Sequence, residues 1–447
     1  MMKLGKVEKF SIRYAVLKVY AKFVHDKIFY KKVKYYGLEN IPEGKPILIA
    51  PNHQNALMDA LAIIFALDKQ IVFLARSDIF QNSFIAKILY FLKILPVFRM
   101  RDGKEKLKLN EAIYNKTIQV LKSNRPVVIF PEAQHIDKKH LRKLKKGVQR
   151  IAFKLEEDND FKADIQIIPT GIYYSNYWNF RTKLFVSFGK PVSLKEYFDD
   201  YKVDPVKTML KFGNVLHEKI REQIIYIKDL QTHDEYDFLL DVCDKEIAED
   251  LSLNLRDLNN KIAVDKETVR RVDDLKESDT EGFNALIKDI SIYKESLSKF
   301  KLKDWIIEKA IPNNKLVEKF LILLIGIPVY LYGLINNLIP YLLPRLITKK
   351  LKDRQFESSI VYGLGIFTFP IFYILQSLLI WFITKSLLFT LIYFISLPIF
   401  GLLAFIWSRL FVKTSAQLRF NKNKNTAEMK KLIELRKDIL STVINRK

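Results

Sequence analysis

The stretch Asn52-His53-Gln54-Asn55-Ala56-Leu57-Met58-Asp59 is the first place in this chain where residue types and spacing could do chemistry. His53 closes an apolar run, and Asp59 falls within the helical turns that follow. A carboxylate that accepts from one ring nitrogen fixes the tautomer, and the other nitrogen can then take a proton from a hydroxyl. No serine or cysteine lies in a recognisable nucleophile turn, so direct attack by a bound hydroxyl fits better than a covalent acyl-enzyme. Taken alone, the pair reads more simply as a capping histidine and a helix-surface acid.

Three further groups stand out. In Leu95-Pro96-Val97-Phe98-Arg99-Met100-Arg101 two arginines leave an apolar run, and guanidinium forks bind phosphate bidentately; a solvated surface pair is the plainer reading. In Ile129-Phe130-Pro131-Glu132-Ala133-Gln134-His135 an acid follows a proline that ends a strand. That is where α/β sites form, outside the carboxyl ends of strands. The basic run after it (Lys138, Lys139, Arg142, Lys143, Lys145, Lys146, Arg150) has no acid between its members. It suits a solvated helix face, a membrane-surface patch or a site for phosphate and acyl donor. Ile167-Ile168-Pro169-Thr170-Gly171 reads as a strand with its exit turn.

The elements that must position these residues are legible. Short runs rich in β-branched and aromatic residues occur at 33–37, 46–50, 71–75, 95–98, 126–130, 165–168 and 183–188, and helical patterns at 57–67, 84–92 and 107–121. Strands alternating with helices predict an α/β fold, with a mixed, mostly parallel sheet flanked by helices. His53, Arg99 and Glu132 then all leave strand ends.

Order and spacing together are more specific than any single motif. Residues from about 33 to 225 resemble the glycerol-phosphate and lysophosphatidate acyltransferase superfamily. The motifs that carry the resemblance are Asn52-His53 with Asp59, Val97-Phe98-Arg99, Phe130-Pro131-Glu132-Ala133 and Ile168-Pro169, preceded by Gly37-Leu38-Glu39-Asn40-Ile41-Pro42. The resemblance implies that His53 is the base that deprotonates a glycerol hydroxyl and that Asp59 orients it. It implies that Arg99 binds the acceptor's phosphate and that Glu132 hydrogen-bonds its glycerol hydroxyl. Asn52, Arg101, Phe130 and Pro131 complete the expected substrate-binding set. The acyl donor would be a thioester, acyl-CoA or acyl-carrier protein, as co-substrate, with no resident cofactor and no metal.

Two departures qualify this. Five residues, not the family's four, separate His53 from Asp59, and one extra residue turns a helical position by about 100°. Some larger members, similar to fungal acyltransferases acting on glycerol-3-phosphate or dihydroxyacetone phosphate, share the longer spacing. Ala133 stands where the motif has glycine, and no Thr-Arg follows. The phosphate contact of that arginine must come from His135, Lys138 or Lys146, or be missing.

Composition bounds the partners. The chain has 447 residues, 49% of them hydrophobic, and a formal net charge of +24. A single cysteine, Cys243, excludes a disulfide framework and any multi-cysteine metal site. The basic excess calls for a polyanion, and the distribution of apolar residues selects an anionic membrane over nucleic acid. Stretches 320–344, 358–384 and 386–408 carry no charge, and a spanning helix needs about 20 apolar residues. The last two predict a spanning hairpin. The first holds Pro328, Pro340, Pro344 and Asn336-Asn337, which predicts two half-helices in a re-entrant or interfacial segment. Basic residues in the 345–357 loop and in the tail place both flanks, and with them the catalytic domain, on the cytoplasmic side.

The expected layout is therefore an amphipathic helix over 1–33 and an acyltransferase domain over 34–228. A charged helical region over 229–315, membrane segments over 316–412 and a basic tail over 413–447 follow. The helix shows Val7, Phe10, Tyr14, Leu17, Tyr20, Val24 and Ile28 at helical spacing. The expected activity is acyl transfer to glycerol-3-phosphate or lysophosphatidate at a membrane. The alternatives are another lyso-lipid or aminolipid acceptor, and a non-catalytic membrane-binding protein on the same fold.

Overall fold

The computed structural model describes residues 5–98, 105, 108–351 and 353–445. Contacts divide the chain into two units, Met1–Tyr226 with Asp353–Tyr362, and Ile227–Lys352 with Gly363–Lys447. The first is the α/β unit. Its strands are β1 (Lys32–Tyr36), β2 (Ile47–Pro51), β3 (Val72–Arg76), β4 (Ile94–Val97), β5 (Val127–Val128), β6 (Gln166–Tyr174), β7 (Lys183–Phe188) and β8 (Val192–Ser193). They form one sheet in the order β1-β7-β6-β2-β5-β3-β4, with β8 beside β6. All pairings are parallel except those of β6 with β7 and β8. The expected mixed, mostly parallel sheet is what forms.

The centre of the sheet is dry. Leu48, Ile49 and Ala50 of β2, Val127 and Val128 of β5, and Ile167 and Ile168 of β6 are fully buried. Each large apolar side chain so buried contributes roughly 1.5–3 kcal/mol. That fixes the register of β2 between β5 and β6, and so fixes where residues 52–59 leave the sheet.

The helices of this unit are α1 (Ile12–Phe23), α2 (Ala56–Ala66), α3 (Ser83–Phe91), α4 (Leu109–Lys122), α5 (Gly147–Glu157), α6 (Phe198–Val203) and α7 (Pro205–Arg221). Helix α1 is shorter than the amphipathic pattern predicts, because the chain passes into a π-turn at Val24–Phe29. It packs through Tyr14 and Ala21 and leaves Ile12, Val16, Val19 and Phe23 exposed. Its Lys18 and Lys22 ammonium groups donate to the carbonyls of Leu67, Lys69 and Phe65 at the far end of α2. Those carbonyls lack intrahelical partners, and cations suit that end of a helix.

The second unit is helical. It contains α8 (His233–Val242), α9 (Asp244–Asp250), α10 (Leu258–Ser278), α11 (Thr280–Lys299), α12 (Asp304–Glu308), α13 (Asn313–Ile325), α14 (Ile327–Thr348), most of α15 (Glu357–Thr384), α16 (Leu387–Asn423) and α17 (Ala427–Ile444). The stretches 354–384 and 387–423 are long and apolar enough to cross a membrane. Helices α13 and α14 are bent by 51° at Gly326 and together form a broken span or a re-entrant loop. The break falls earlier than Asn336-Asn337. Pro328 takes the first turn of α14, where a missing N–H costs nothing, and the asparagines are satisfied in mid-helix. Asn337 Oδ1 accepts from Tyr373 at 2.6 Å, and Asn336 Oδ1 accepts from Tyr393 at 2.6 Å.

The expected basic tail is instead structured. Helix α16 runs on to Asn423, and α17 buries Met429, Leu432, Ile439 and Val443. Arg436 on α17 donates to Asp304 at 2.8 Å, beside Tyr293 at 2.6 Å from the same carboxylate.

Gly171 in β6 lets the backbone of Gln223 approach: a Cβ there would lie 2.1 Å from the Gln223 carbonyl oxygen. Gly171→Ala is expected to cost about 1–3 kcal/mol through forced backbone movement. The check is the apparent melting temperature in detergent. Gly147→Ala, whose Cβ would meet nothing within 4 Å, should leave it unchanged or raise it.

Candidate active site

His53 leaves β2, and the turn 53–57 leads directly into α2, which carries Asp59. The sequence winds this turn tightly. Ala56 sits at φ 41°, a left-handed conformation unusual for a residue with a Cβ. Asp59, fully buried, turns its carboxylate back into the turn. Its Oδ2 accepts from His53 Nδ1 at 2.8 Å and from the backbone N–H groups of Gln54 and Asn55, each at 2.7 Å. Its Oδ1 accepts from the Tyr174 hydroxyl at 2.8 Å. Because the carboxylate only accepts, His53 Nδ1 carries the proton and Nε2 presents a lone pair. The extra residue of the five-residue spacing is thus absorbed in the turn, and base and acid still meet.

Glu132 holds the same turn from the other side. Its Oε1 accepts from the His53 backbone N–H at 2.7 Å, and its Oε2 from the Arg142 N–H at 2.8 Å. It is 1% exposed, and burial pushes its carboxyl up to about 8, against the pull of those two donors. Each oxygen thus accepts from one of the protein's own amides. Asn52 is likewise committed to the sheet. Its Oδ1 accepts from the Ile172 N–H at 2.7 Å, and its Nδ2 donates to the Ile172 carbonyl.

The wall of the site is aromatic. Phe130 stacks on the His53 ring at 4.2 Å, and His135 meets it edge-on at 5.2 Å. His135 also faces Asp353, Nε2 to Oδ2 3.8 Å, and the Phe356 ring at 5.1 Å. Burial, and then the neighbouring His53, hold the His135 imidazole below its ordinary value, and Arg76 pushes the same way. Pro131 accepts from the Lys145 N–H at 2.7 Å, which folds the later part of the basic run back over the strand end. Ala133, in place of the motif's glycine, takes φ 59° in the turn after Phe130. A left-handed residue with a Cβ costs roughly 1–2 kcal/mol there.

The structure thus brings together His53, Asp59, Asn52, Phe130, Pro131, Glu132 and His135. Lys146 precedes α5 and joins none of these hydrogen bonds. Arg99 and Arg101 lie outside the described residues. Sequence reasoning missed Tyr174, the Gln54 and Asn55 amides, Arg76 at the end of β3, and Asp353, Phe356, Ser358 and Ser359. Alternation along β6 would have put Tyr174 on the Asn52 side of the sheet. Nothing in the sequence links residues 353–359 to the site.

Residues 32–173, which contain every one of the motifs, match the family model described as Acyltransferase. Over these residues the chain matches the acyltransferase family. The acyltransferase domain is similar to 1-acyl-sn-glycerol-3-phosphate acyltransferase of Borreliella burgdorferi, 27% identical over 205 residues. That match covers 45% of this chain and 72% of the relative. It is also similar to glycerol-3-phosphate O-acyltransferase 1 of Saccharomyces cerevisiae, 26% identical over 208 residues, 45% of this chain and 26% of that protein. A third relative, 1-acyl-sn-glycerol-3-phosphate acyltransferase of Bacillus subtilis, is 31% identical over 100 residues, 22% of this chain and 46% of that one. The crystal structure of the 1-acyl-sn-glycerophosphate (LPA) acyltransferase PlsC from Thermotoga maritima aligns over 47% of this chain and 78% of that one, at 19% identity and a TM-score of 0.34.

The Glu132 carboxyl gives the acyltransferase domain a pH signature. With its folded value raised from 4.5 to about 8, the folded state holds a proton that the unfolded state has released between those limits. Stability therefore falls as pH rises through that window and is fully present below it. Glu132→Gln, which keeps the neutral shape, should show no such term. The gap in melting temperature between variant and wild type should widen in the variant's favour from pH 5 to pH 8.

Proposed function

We propose that this chain is a membrane-bound O-acyltransferase that moves a fatty acyl group from a thioester to a hydroxyl of glycerol-3-phosphate or lysophosphatidate. The observation that carries the reading is the His53 Nδ1 to Asp59 Oδ2 hydrogen bond of 2.8 Å beneath the Phe130 ring. It leaves one basic nitrogen in a site walled by aromatic rings. The printed activities of the relatives supply the acceptor class.

In this reading the acceptor hydroxyl gives its proton to His53 Nε2 as its oxygen attacks the thioester carbonyl carbon. The tetrahedral intermediate collapses by breaking the C–S bond, and the imidazolium returns the proton to the departing sulfur. The products are an ester and a free thiol, acyl-CoA or acyl-carrier protein being the donor, and no metal enters any step. Asp59 stabilises the imidazolium while it exists. Glu132 and Asn52 position the turn rather than touch the acceptor. The resemblance assigns the acceptor phosphate to Arg99, and Arg76 at the end of β3 adds a cation near His135.

The lipid product accounts for the apolar helices, because it partitions into the bilayer. Residues 353–362, at the start of the first spanning stretch, pack within the acyltransferase unit. Arg345, Lys349, Lys350, Lys352 and Arg354 precede or begin that stretch. By the positive-inside rule this end, and the site with it, faces the cytoplasm.

The test is transfer of radiolabelled acyl groups from acyl-CoA and from acyl-carrier protein by the detergent-purified chain, with glycerol-3-phosphate and lysophosphatidate as parallel acceptors. His53→Ala and Asp59→Asn should each lower kcat by about 10²–10⁴-fold, the usual contribution of general-base catalysis. Transfer undiminished in both variants would overturn the reading. Transfer only to lyso-lipids or amines without a phosphate monoester would move the acceptor class.

A further inference from the structure

The turn that carries His53 is fastened to residues some 300 positions away in sequence. Asn55 occupies the N-cap position of α2, where its side chain would ordinarily accept from the helix's first free amides. Here it does not. Its Oδ1 instead accepts from the Ser358 hydroxyl at 2.6 Å, and its Nδ2 donates to the Tyr177 carbonyl at 3.1 Å. The Leu57 N–H, one of the amides left over, donates to the Ser359 hydroxyl at 3.2 Å. Ser358 is 1% exposed and Ser359 6%. The start of the helix that bears Asp59 is therefore bonded by two adjacent serines of another helix, α15, Ser359 capping the Leu57 N–H and Ser358 holding the Asn55 side chain; α15 runs on as the first spanning stretch.

The rest of that segment is anchored to the same unit. Gln355 donates to Asp137 at 3.2 Å, Arg354 lies 4.2 Å over the Trp178 ring, and Tyr362 donates to the Ala21 carbonyl at 2.7 Å. Asp353 and Phe356 face His135, which in turn faces His53. The turn needs such a fastening. Its extra residue forces Ala56 into a left-handed conformation, and a strained residue persists only where the surroundings over-determine it.

We propose that Ser358 and Ser359 are positioning residues for the His53–Asp59 pair, so that the first turns of the membrane helix are a working part of the acyltransferase site. The proposal rests on the reading of His53 as the base. Removing both hydroxyls takes the Ser358 donor from Asn55 Oδ1 and the Ser359 acceptor from the Leu57 N–H, while the substrate-facing surfaces stay intact. The loss should therefore fall on turnover and not on substrate affinity.

The experiment uses the full-length chain in detergent, with Ser358→Ala, Ser359→Ala and the double variant. Two readouts are taken: acyl transfer from acyl-CoA, and amide hydrogen exchange by mass spectrometry in the peptides covering residues 53–60. The double variant is expected to lose about tenfold in kcat, with KM for acyl-CoA within about twofold of wild type. Exchange in those peptides should be about tenfold faster. Peptides from the centre of the sheet should exchange as in wild type. Exchange at 53–60 unchanged, or kcat unchanged while His53→Ala is inactive, would overturn the proposal. Should the double variant not fold, each single variant is held to the same two readouts at about threefold. If wild type transfers no acyl group to any acceptor, the functional reading fails, and the exchange measurement still decides whether the serines fasten the turn.

Discussion

The burial of the Asp59 carboxylate is the constraint on which the rest of the acyltransferase unit depends. Taking an ion of this kind out of water costs several kcal/mol even after the protein relaxes. The cost is offset only where every lone pair finds a donor. Four donors converge on Asp59: the His53 ring, two backbone amides of the turn and the Tyr174 hydroxyl. Each comes from a different constraint on the chain. The amides require the turn to close tightly over the helix start. The ring requires His53 to point along that turn. Tyr174 requires β6 to lie beside β2 in a fixed register, which the parallel ladder from Ile47–Gln166 to Pro51–Thr170 supplies.

A second buried carboxyl, Glu132, which burial keeps protonated up to about pH 8, holds the turn from the opposite side. It binds the His53 amide and the Arg142 amide together, so the loop after β5 and the turn after β2 move as one. Between the two acids the His53 backbone has little freedom, and the Phe130 ring restrains its side chain by stacking. Proton transfer depends on such fixing, because a base displaced by an ångström from the hydroxyl it must reach loses much of its advantage. The motif residues thus divide here into the His53–Asp59 pair and several that hold its turn in place.

The sheet was legible in the sequence because its strands are buried on both faces and read as unbroken apolar runs. All seven expected strands begin within one residue of their observed start; the run ending at Phe130 pairs over less than its expected length, at Val127–Val128. The approach of His53 to Asp59 was legible as a motif, but not how five intervening residues would allow it. The turn closes with Ala56 at φ 41° and its amides bonded back to Asp59, and it bonds in addition to Ser358 and Ser359, of which local spacing carries no record. The amide bonds of Glu132 were not legible for a related reason. An acid after a strand end suits backbone amides as well as a substrate, and the loop path that brings the Arg142 N–H to it leaves no mark in local spacing. The C-terminal stretch misled through its charge. Arg436 looks like a tail cation in the sequence, yet it is buried against Asp304, because the apolar face of its own helix sets it there.

The coupling of the site to α15 has a physical rationale beyond fastening a strained turn. An acyltransferase whose donor chain and product are lipophilic must present its base at a fixed depth relative to the bilayer. A spanning helix fixes depth better than a peripheral contact does, because sliding it by one turn would bury or expose about 5.4 Å of apolar length. On the function proposed above, helix residues bonded directly to the turn of His53 would tie that turn to the helix start without an intervening loop. A flexible linker of even a few residues would add several ångströms of uncertainty. The serine pair is small enough to let the helix start approach α2 closely, and polar enough to satisfy the amides exposed by that approach. A larger side chain at either position would hold the helix away, and an alanine would leave the amides bare.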